Sequence, residues 1–336
     1  MRKCILVFCA ILVPFALYSQ STKIVRDGKP DFSGNWENSH EISTHRATEY
    51  GPQRSYSEEQ VQAILSGIAQ KEAERAVPLS ANRPPPPVAD RPGSHDDFFD
   101  DFPSSLMRIN EEFRTSIIIQ PDNGTIHHNG IISDFYGRSL EAGFKMRDHP
   151  ELAGTSLRCL HSGWLFPFMG TVGLGRNGKI IQTDQYLMIL GEYPYYPRII
   201  PFVAGDQGES YFKDKTPQWM GHSYAFWDEN KLVVRTSRVR DELSRLPTHE
   251  NRAFTNGLPI SSETTFFKET FELQSSEEIL YRWEATDEIF LEQSVVGEVL
   301  LTKMTERLYE FACHEGNYGL LNALRGARRE DVEAEF

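Results

Sequence analysis

A succession of short strand patterns, separated by tight turns, runs through the second half of the chain. "RTSIIIQP" stops at the turn-forming "DNG", and both "KIIQTDQYLMILGEY" and "RIIPFV" are bounded by glycine and proline. Two longer runs predict hairpins that turn at Glu229–Asn230 and at Ser275–Ser276, and "VGEVLLTKMTERLYEFAC" predicts a last pair of strands. Closing such an antiparallel meander into a barrel removes its exposed edges. The fold class is therefore predicted to be mainly β, a meander closed into a barrel.

Two helices are predicted to flank these strands. Ser57 caps a first helix over Ser57–Ala76, with Gln60 three residues further on. Its apolar residues recur at helical spacing: Val61, Ile64, Leu65 and Ile68. The tail predicts a C-terminal helix whose apolar side carries Leu320, Leu321, Leu324 and Ala327. The stretch Asn82–Pro103 is proline-rich and then acidic, and predicts an exposed loop.

The first nineteen residues have the layout of a signal peptide. Arg2 and Lys3 precede the apolar run Ile5–Leu17, and small Ser19 stands at a plausible cleavage point. No later apolar segment reaches the roughly 20 residues that a membrane helix needs. We therefore divide the chain into a signal peptide (1–19), an N-terminal segment (20–113) and a β-barrel domain with the C-terminal helix (114–336). We expect an exported protein, periplasmic or extracellular, without integral membrane association.

The cysteines lead to two alternatives. Cys4 and Cys9 leave with the signal peptide; a lipid anchor at Cys9 is disfavoured because bulky Phe8 precedes it. In an oxidising compartment Cys159 and Cys313 are expected to pair, and the bridge would close a loop of well over a hundred residues. The alternative is a nucleophilic thiolate at Cys313, which requires a reduced cysteine with a base beside it.

The net charge of the chain argues against certain classes of binding partner. The formal net charge of −13 becomes −15 once Arg2 and Lys3 are removed, and such a surface repels phosphate backbones and anionic lipid. Nucleic acid is therefore not an expected partner.

Several motifs together resemble a largely uncharacterised family of exported bacterial proteins. They are "GKPDFSGNW", "RTSIIIQPDNG", "IIQTDQYLMIL", "PRIIP", "WMGHSYAFWDENKLVV" and "YEFACHEGNYGLLNALRGAR". Members typically carry "PDLSGxW", "RTSLIVDPPDG", a "WxGxSxGxWEGDTLVVDT" hairpin and "CHEGNY…GAR". The resemblance spans most of the mature chain and implies export, but little chemistry. This chain departs from the pattern at Arg235, where the family tends to have Asp, and at Phe226, where it tends to have Gly.

A second resemblance is to calycin-type barrels, because Gly34-Asn35-Trp36 matches the G-x-W of lipocalins. The match covers three residues, and the predicted meander points to the same architecture. We therefore expect a calycin-like barrel.

The stretch "CHEGNYG" near the end of the chain holds a thiol, an imidazole and a carboxylate. In a strand over "RLYEFACHE", alternation would place Cys313 and Glu315 on one side and His314 on the other. Cys313 and His314 would then not form a thiolate–imidazolium pair. His314 remains as a candidate catalytic residue on its own.

Further histidines and aromatic residues extend the candidate site. His222 opens a predicted hairpin with Trp219, Tyr224 and Trp227 nearby, and aromatic walls around one polar group suit an apolar ligand. A histidine in such a pocket is a natural general acid or base. His161 follows Cys159 by two residues, so a bridge to Cys313 would bring it near His314. For any single histidine, a hydrogen bond to a loop carbonyl is the more common role.

Other site chemistries find little support. "GLGRNG" at Gly173–Gly178 lacks the strand–glycine–helix order of a dinucleotide site, and no spacing typical of zinc ligands occurs. His127 and His128 beside "DNGTI" indicate a solvated turn. No G-x-S-x-G elbow occurs, so the α/β-hydrolase interpretation fails. We predict neither a cofactor nor a metal.

Three functions follow from this pattern. The first is cofactor-independent acid–base catalysis of the lyase, isomerase or cyclase type on a largely apolar small molecule, with His222 and His314 catalytic. Trp219, Tyr224, Trp227 and His161 would bind the substrate. The second is a non-catalytic carrier of an apolar ligand, and the third is a structural or accessory envelope protein.

Overall fold

The computed structural model describes most of the chain downstream of the predicted signal peptide. The described residues are 25–26, 28–78, 82, 105–129, 141–143, 148–150, 158–160, 167–169, 176–192, 195–240 and 262–334. The signal peptide and nearly all of the predicted loop over Asn82–Pro103 lie outside them.

Strands dominate the described residues. The strands are β1 Val25–Arg26, β2 Lys29–Pro30, β3 Gly34–Glu37, β4 His40–Glu41, β5 Ser105–Leu106, β6 Arg108–Ile109, β7 Glu112–Phe113, β8 Ile118–Gln120, β9 Asn177–Gln182, β10 Tyr186–Gly191, β11 Pro197–Pro201, β12 His222–Asp228, β13 Lys231–Ser237, β14 Phe266–Leu273, β15 Glu278–Thr286 and β16 Val295–Lys303. The helices are α1 Glu58–Arg75 and α2 Tyr318–Ala334, and short 3-10 turns lie at Thr48–Tyr50 and Glu209–Phe212.

Nine strands form one nearly closed, barrel-shaped sheet in the order β11-β10-β9-β3-β16-β15-β14-β13-β12, and β8 pairs with β16 beside this path. All pairs within it are antiparallel, which confirms the predicted fold class. The predicted hairpins are also confirmed, because Asp228 pairs with Lys231 and Leu273 with Ile279 across their turns. Strand β3 joins two meanders: it lies between β9 and β16, far from both in sequence.

The inside of the barrel is filled by large side chains. Alternate residues of the long strands point inward, as in β14 and β15, where every second residue is buried. The fully buried residues with the largest side chains in this core include Trp36, Trp283, Tyr281, Phe32, Phe168, Phe267 and Phe271. A barrel of about eight strands is just wide enough for side chains to fill. Gly297 is required by this packing, since a Cβ there would lie 2.4 Å from the ring of Trp283.

Helix α1 begins as predicted. The Ser57 side chain accepts a hydrogen bond from the Gln60 N–H, and the Gln60 side chain accepts one from the Ser57 N–H, which completes a capping box. Val61 is its buried anchor, while the other predicted apolar positions are half-buried.

The segment after β16 corrects one prediction. A second strand was expected over "RLYEFACHE", but residues 304–317 contain no strand. The alternation of side chains expected there therefore does not exist, and both Tyr309 and His314 are exposed. The physical reason is that β16 already has β15 on one side and β3 and β8 on the other. No edge of β16 remains for a further strand.

The predicted disulfide and C-terminal helix are both present. Cys159 and Cys313 are bridged, with their Cα atoms 5.6 Å apart, and the Asn317 side chain donates to the sulfur of Cys159 at 3.2 Å. Helix α2 follows directly. Ala327 is buried on it as predicted, but Leu321 is 45% exposed. The bridge therefore ties the start of α2 to a distant part of the chain.

Candidate functional site

The barrel is incompletely closed between β11 and β12. Phe202, just after β11, forms a parallel bridge with Ala225, and the N–H of Val203 donates to the Ala225 carbonyl at 2.8 Å. Among the described residues this is the one bridge between the two segments. We call the open stretch between 197–201 and 220–223 the seam.

Two prolines explain why the seam stays open. The N–H of Phe202 donates to Gln185, on the β10 side, at 2.9 Å. Because successive N–H groups of a strand point in opposite directions, positions 197, 199, 201 and 203 direct theirs toward β12. Pro197 and Pro201 have no N–H to donate. Half of the donors that a ladder along the seam needs are therefore missing.

A cavity of about 580 Å³ lies along the seam. We call it the seam cavity. Its walls are apolar and aromatic and include Tyr196, Ile199, Ile200, Tyr211, Trp219 and Met220. The lining also includes the polar residues Arg198, His222, Ser223 and Arg240. Apolar walls with a few convergent polar groups are typical of small-molecule sites.

Arg198, one of the lining residues, belongs to a buried ion pair with Glu269, and we call this pair the floor of the seam cavity. Both terminal guanidinium nitrogens of Arg198 donate to the carboxylate of Glu269, at 2.6 and 3.0 Å, and the two side chains are only 2% and 1% exposed. The Tyr281 hydroxyl donates to the same carboxylate at 3.0 Å. Burial raises the pKa of Tyr281 well above its ordinary value, and the neighbouring Glu269 adds to this. The floor is thus a fixed, internally neutralised group.

Two hydroxyl groups connect this floor to the cavity. Arg198 donates to Thr236 at 3.1 Å and to Ser223 at 3.3 Å, and the two hydroxyl oxygens lie 2.8 Å apart. Thr236 is fully buried, whereas Ser223 is half-buried and lines the cavity. Arg198 therefore holds the Ser223 hydroxyl in position.

His222 lies at the rim as the first residue of β12. Its Nε2 is 2.9 Å from the Thr216 carbonyl oxygen. Because a carbonyl oxygen only accepts, this bond places the proton of the neutral ring on Nε2 and leaves Nδ1 as a proton acceptor. In this tautomer Nδ1 is the ring nitrogen that can accept a proton.

Trp219 and Arg240 also line the seam cavity and lie against each other. The guanidinium carbon of Arg240 lies 4.7 Å from the centre of the Trp219 ring. Such stacking restricts the conformations of both side chains.

Tyr224 and Trp227 were also predicted to bind the substrate, but neither is among the residues that line the seam cavity. Tyr224 points to the outer face of the barrel, where its hydroxyl donates to Asp206 at 2.5 Å, and Arg235 donates to the other oxygen of Asp206 at 2.8 Å. Trp227 stacks on Phe202 with centroids 5.9 Å apart. It is five residues from His222, or roughly 17 Å along a strand.

The contact between the Tyr224 hydroxyl and the Asp206 carboxylate shifts the pKa of both groups. Burial and then the bond to Asp206 raise the pKa of Tyr224 to about 12. Burial alone would raise the pKa of Asp206, but hydrogen bonds from Tyr224, the Gly208 N–H and Arg235 lower it below its ordinary value. Arg235 thus forms an ion pair with Asp206 on the outside of the barrel.

The remaining predicted site residues are dispersed. His314 is exposed, one residue after the disulfide-bonded Cys313. His161 lies outside the described residues. Of the predicted site residues that the structure describes, Trp219 and His222 are the two that line the seam cavity.

Sequence reasoning missed Arg198, Glu269 and the two prolines. Two signals pointed to them. "PRIIP" holds an arginine and two prolines within a β-branched run, and prolines within sheets are confined to edges. Glu269 lies on β14 between Phe267 and Phe271, and the alternation of the strand points all three side chains into the barrel. An apolar residue is expected at such a position.

The chain was compared with known proteins. No protein-family model matches it, and no curated protein does either. Neither of the two described helices is long and apolar enough to cross a bilayer. The described residues also contain no group of three histidine, cysteine or acidic side chains arranged to hold a metal ion.

Proposed function

We propose that this protein is a small-molecule-binding barrel whose ligand occupies the seam cavity. The observation that carries the proposal is the combination of an open seam with a cavity of about 580 Å³, apolar walls and a fixed polar floor. Proteins keep such features at ligand sites, since an unpaired strand edge and a buried charge both cost stability. A largely apolar ligand of low molecular mass fits this volume.

The position of the ligand follows from how the rest of the barrel is packed. Large aromatic side chains fill the interior that the described residues enclose. The seam, in contrast, borders residues that are partly open to solvent, such as Trp219 and Met220. The ligand is therefore held between two strands and not in a central lumen.

A neutral fluorescent probe tests the proposal. N-phenyl-1-naphthylamine is expected to bind with enhanced fluorescence, and Trp219→Ala is expected to weaken this binding about tenfold by removing an aromatic wall. Tyr186→Ala is the matched control, because Tyr186 is a 47% exposed aromatic residue on the outer face of β10 and does not line the cavity. Equal losses in both variants, or no binding at all, would refute a site at the seam. Native mass spectrometry of the purified protein would identify a retained natural ligand.

A second candidate function is acid–base catalysis on the same ligand. The specific observation in its favour is the fixed tautomer of His222, whose Nδ1 is left as a proton acceptor beside the cavity. This supports a cofactor-independent lyase, isomerase or cyclase in which His222 takes up or delivers the proton. His314, on the surface beside the disulfide, has no comparable support.

One variant distinguishes an enzyme from a non-catalytic carrier. His222→Gln is expected to bind the fluorescent probe as the parent does but to lose turnover of any retained compound. Turnover that survives in His222→Gln would show that His222 is not the catalytic residue, whereas binding without any turnover in the parent would leave the carrier function. Failure of every ligand to bind would favour the structural or accessory role.

We also propose that the protein is exported and belongs with the bacterial family whose motifs it resembles. The disulfide between Cys159 and Cys313 supports an oxidising compartment. Sequencing of the mature N-terminus tests this, with cleavage after Ser19 as the expected result.

A further inference from the structure

We propose that a group of arginines beside the outer face of β15 and β16 binds a small tetrahedral oxyanion of the phosphate type. The group consists of Arg46, Arg54, Arg114 and Arg282, and we call it the arginine cluster. None of its members lines the seam cavity, so this inference goes beyond the proposed function and does not depend on it.

Three segments of the chain bring arginines to one carboxylate. Arg282 points outward from β15 and is the direct partner of Glu298 on β16. Arg114 lies shortly before β8, the strand that pairs with β16. Ser55 forms an antiparallel bridge with Arg114, which brings Arg54 alongside. Three guanidinium groups therefore approach the side chain of Glu298 within 4 Å.

Glu298 does not satisfy all three arginines. Its oxygens accept from Arg282 at 3.0 Å and from Arg54 at 3.3 Å, whereas Nη2 of Arg114 stays 3.7 Å away, beyond hydrogen-bond distance. The Arg114 side chain is only 5% exposed, and among the described residues it donates one hydrogen bond, to Glu112 at 2.7 Å. Its Nε is buried without a partner in the same part of the chain. Unused donors on a buried guanidinium cost stability, and an added acceptor would relieve this cost.

The arginine cluster also carries more positive charge than the neighbouring acids neutralise. Arg46 is 5% exposed, and among the described residues its side chain donates only to carbonyl and hydroxyl oxygens. The described acids that interact with the cluster are Glu112, Asp122 and Glu298. Burial and then the charge of Arg54 lower the pKa of both Arg46 and Arg114. Four positive charges thus face three negative ones, and this surplus attracts anions to one place on a chain whose net charge is −13.

The exposed donors of the arginine cluster suit a tetrahedral oxyanion. Arg54 and Arg282 are 46% and 50% exposed, and each makes one side-chain hydrogen bond among the described residues. Most of their N–H groups are therefore open to an ion from solvent. Guanidinium groups on different segments approach from different directions, and a phosphate offers four oxygens where a carboxylate offers two. The negative net charge disfavours lipid and nucleic-acid surfaces, so we take the ligand to be a free ion.

Isothermal titration calorimetry with inorganic phosphate, at a constant ionic strength set with chloride, tests the inference. We expect a Kd of about 1 mM or lower, the affinity of two to three charge-assisted hydrogen bonds. Arg282→Gln is expected to weaken phosphate binding about tenfold, because one such contact is lost, and Arg282→Lys should weaken it less because the charge stays. Neither change should alter the affinity of the seam cavity for N-phenyl-1-naphthylamine.

Glu298→Gln tests the same site in the opposite direction. It removes the carboxylate that competes for the arginine donors and adds one unit to the surplus charge, so phosphate should bind about tenfold more tightly. The buried arginines of this variant have lost an acid, which lowers its stability. Phosphate should therefore raise its melting temperature by more than that of the parent.

Arg329→Gln is the control for net charge, since Arg329 lies exposed on α2 and pairs with Glu333. It should leave the affinity for phosphate as it is. The inference is wrong if phosphate binds no better than chloride, if Arg282→Gln behaves like Arg329→Gln, or if phosphate binds more weakly to Glu298→Gln than to the parent.

Two further outcomes assign a failure to its source. Cosedimentation with vesicles of phosphatidylcholine and phosphatidylglycerol that is lost in Arg282→Gln would assign the arginine cluster to a membrane surface and overturn the inference. Phosphate binding that responds to Arg282→Gln, in a protein that does not bind N-phenyl-1-naphthylamine, would support the inference and refute the proposed function.

Discussion

Removing the charge of Glu269 is expected to destabilise the whole barrel. Arg198 and Glu269 are 2% and 1% exposed and share two hydrogen bonds of 2.6 and 3.0 Å. In Glu269→Gln the guanidinium of Arg198 stays buried while its carboxylate is lost. Breaking a buried pair in this way costs about 3–5 kcal/mol of unfolding free energy, because the remaining charge has left water without compensation.

The double variant separates this effect from packing. Arg198→Met alone leaves the Glu269 carboxylate buried with Tyr281 as a hydrogen-bond donor, and should cost a similar amount. Arg198→Met combined with Glu269→Gln buries no charge at either position. The double variant is therefore expected to be more stable than either single variant, with a coupling of at least about 2 kcal/mol.

Urea denaturation of the oxidised protein, followed by tryptophan fluorescence and far-ultraviolet circular dichroism, measures these differences. Glu272→Gln is the matched control on the same strand. Glu272 pairs with Lys231 at 3.0 Å, but the two side chains are 39% and 47% exposed, so the loss should not exceed about 1 kcal/mol. The reasoning fails if Glu269→Gln costs no more than Glu272→Gln, or if the losses of the two single variants simply add in the double variant.

Three further changes test the fold. Gly297→Ala would place a methyl group 2.4 Å from the Trp283 ring, and thermal unfolding should reveal a loss of about 1–3 kcal/mol; an unchanged melting temperature would contradict the packing described. Replacing both Cys159 and Cys313 with Ser opens a loop of 154 residues and should cost about 2–5 kcal/mol in urea, whereas parent-like stability would mean that the bridge constrains little. The pKa of Asp206 is lowered in the folded protein, so its ionised form stabilises the protein above about pH 4 and this contribution fades as the pH falls further. In Asp206→Asn the unfolding free energy should therefore depend less on pH below about pH 4. An unchanged pH dependence in this range would argue against the contact with Tyr224.

The hairpins were predictable because their signal is local. In β14 and β15 every second residue is buried, and the turns between paired strands are only two to four residues long. The capping box of α1 is equally local, since Ser57 and Gln60 are three residues apart. The place of β3 between β9 and β16 depends on contacts over more than a hundred residues, which no periodicity encodes.

The strand expected over "RLYEFACHE" shows the limit of a local signal. Its alternation resembles that of a true strand, yet β16 is already paired on both sides. Whether an alternating segment becomes a strand depends on a free edge elsewhere in the sheet, and the sequence does not reveal it.

The candidate site was only partly predictable for the same reason. His222 and Trp219 were found because they are close in sequence. Arg198 and Glu269 are 71 residues apart and meet only when the barrel forms. The prolines of "PRIIP" carry a local signal, but its meaning depends on which strand lies opposite.

The central claim, a ligand site at the open seam, is tested most directly by the tryptophan indole N–H resonances of the ¹⁵N-labelled protein during titration with N-phenyl-1-naphthylamine. Trp219 lines the seam cavity, whereas Trp36 and Trp283 are buried in the barrel core. The seam site predicts that the Trp219 resonance shifts in a saturable way and that those of Trp36 and Trp283 stay in place. A saturable shift of the core tryptophans with Trp219 unmoved would place the ligand inside the barrel and contradict the account.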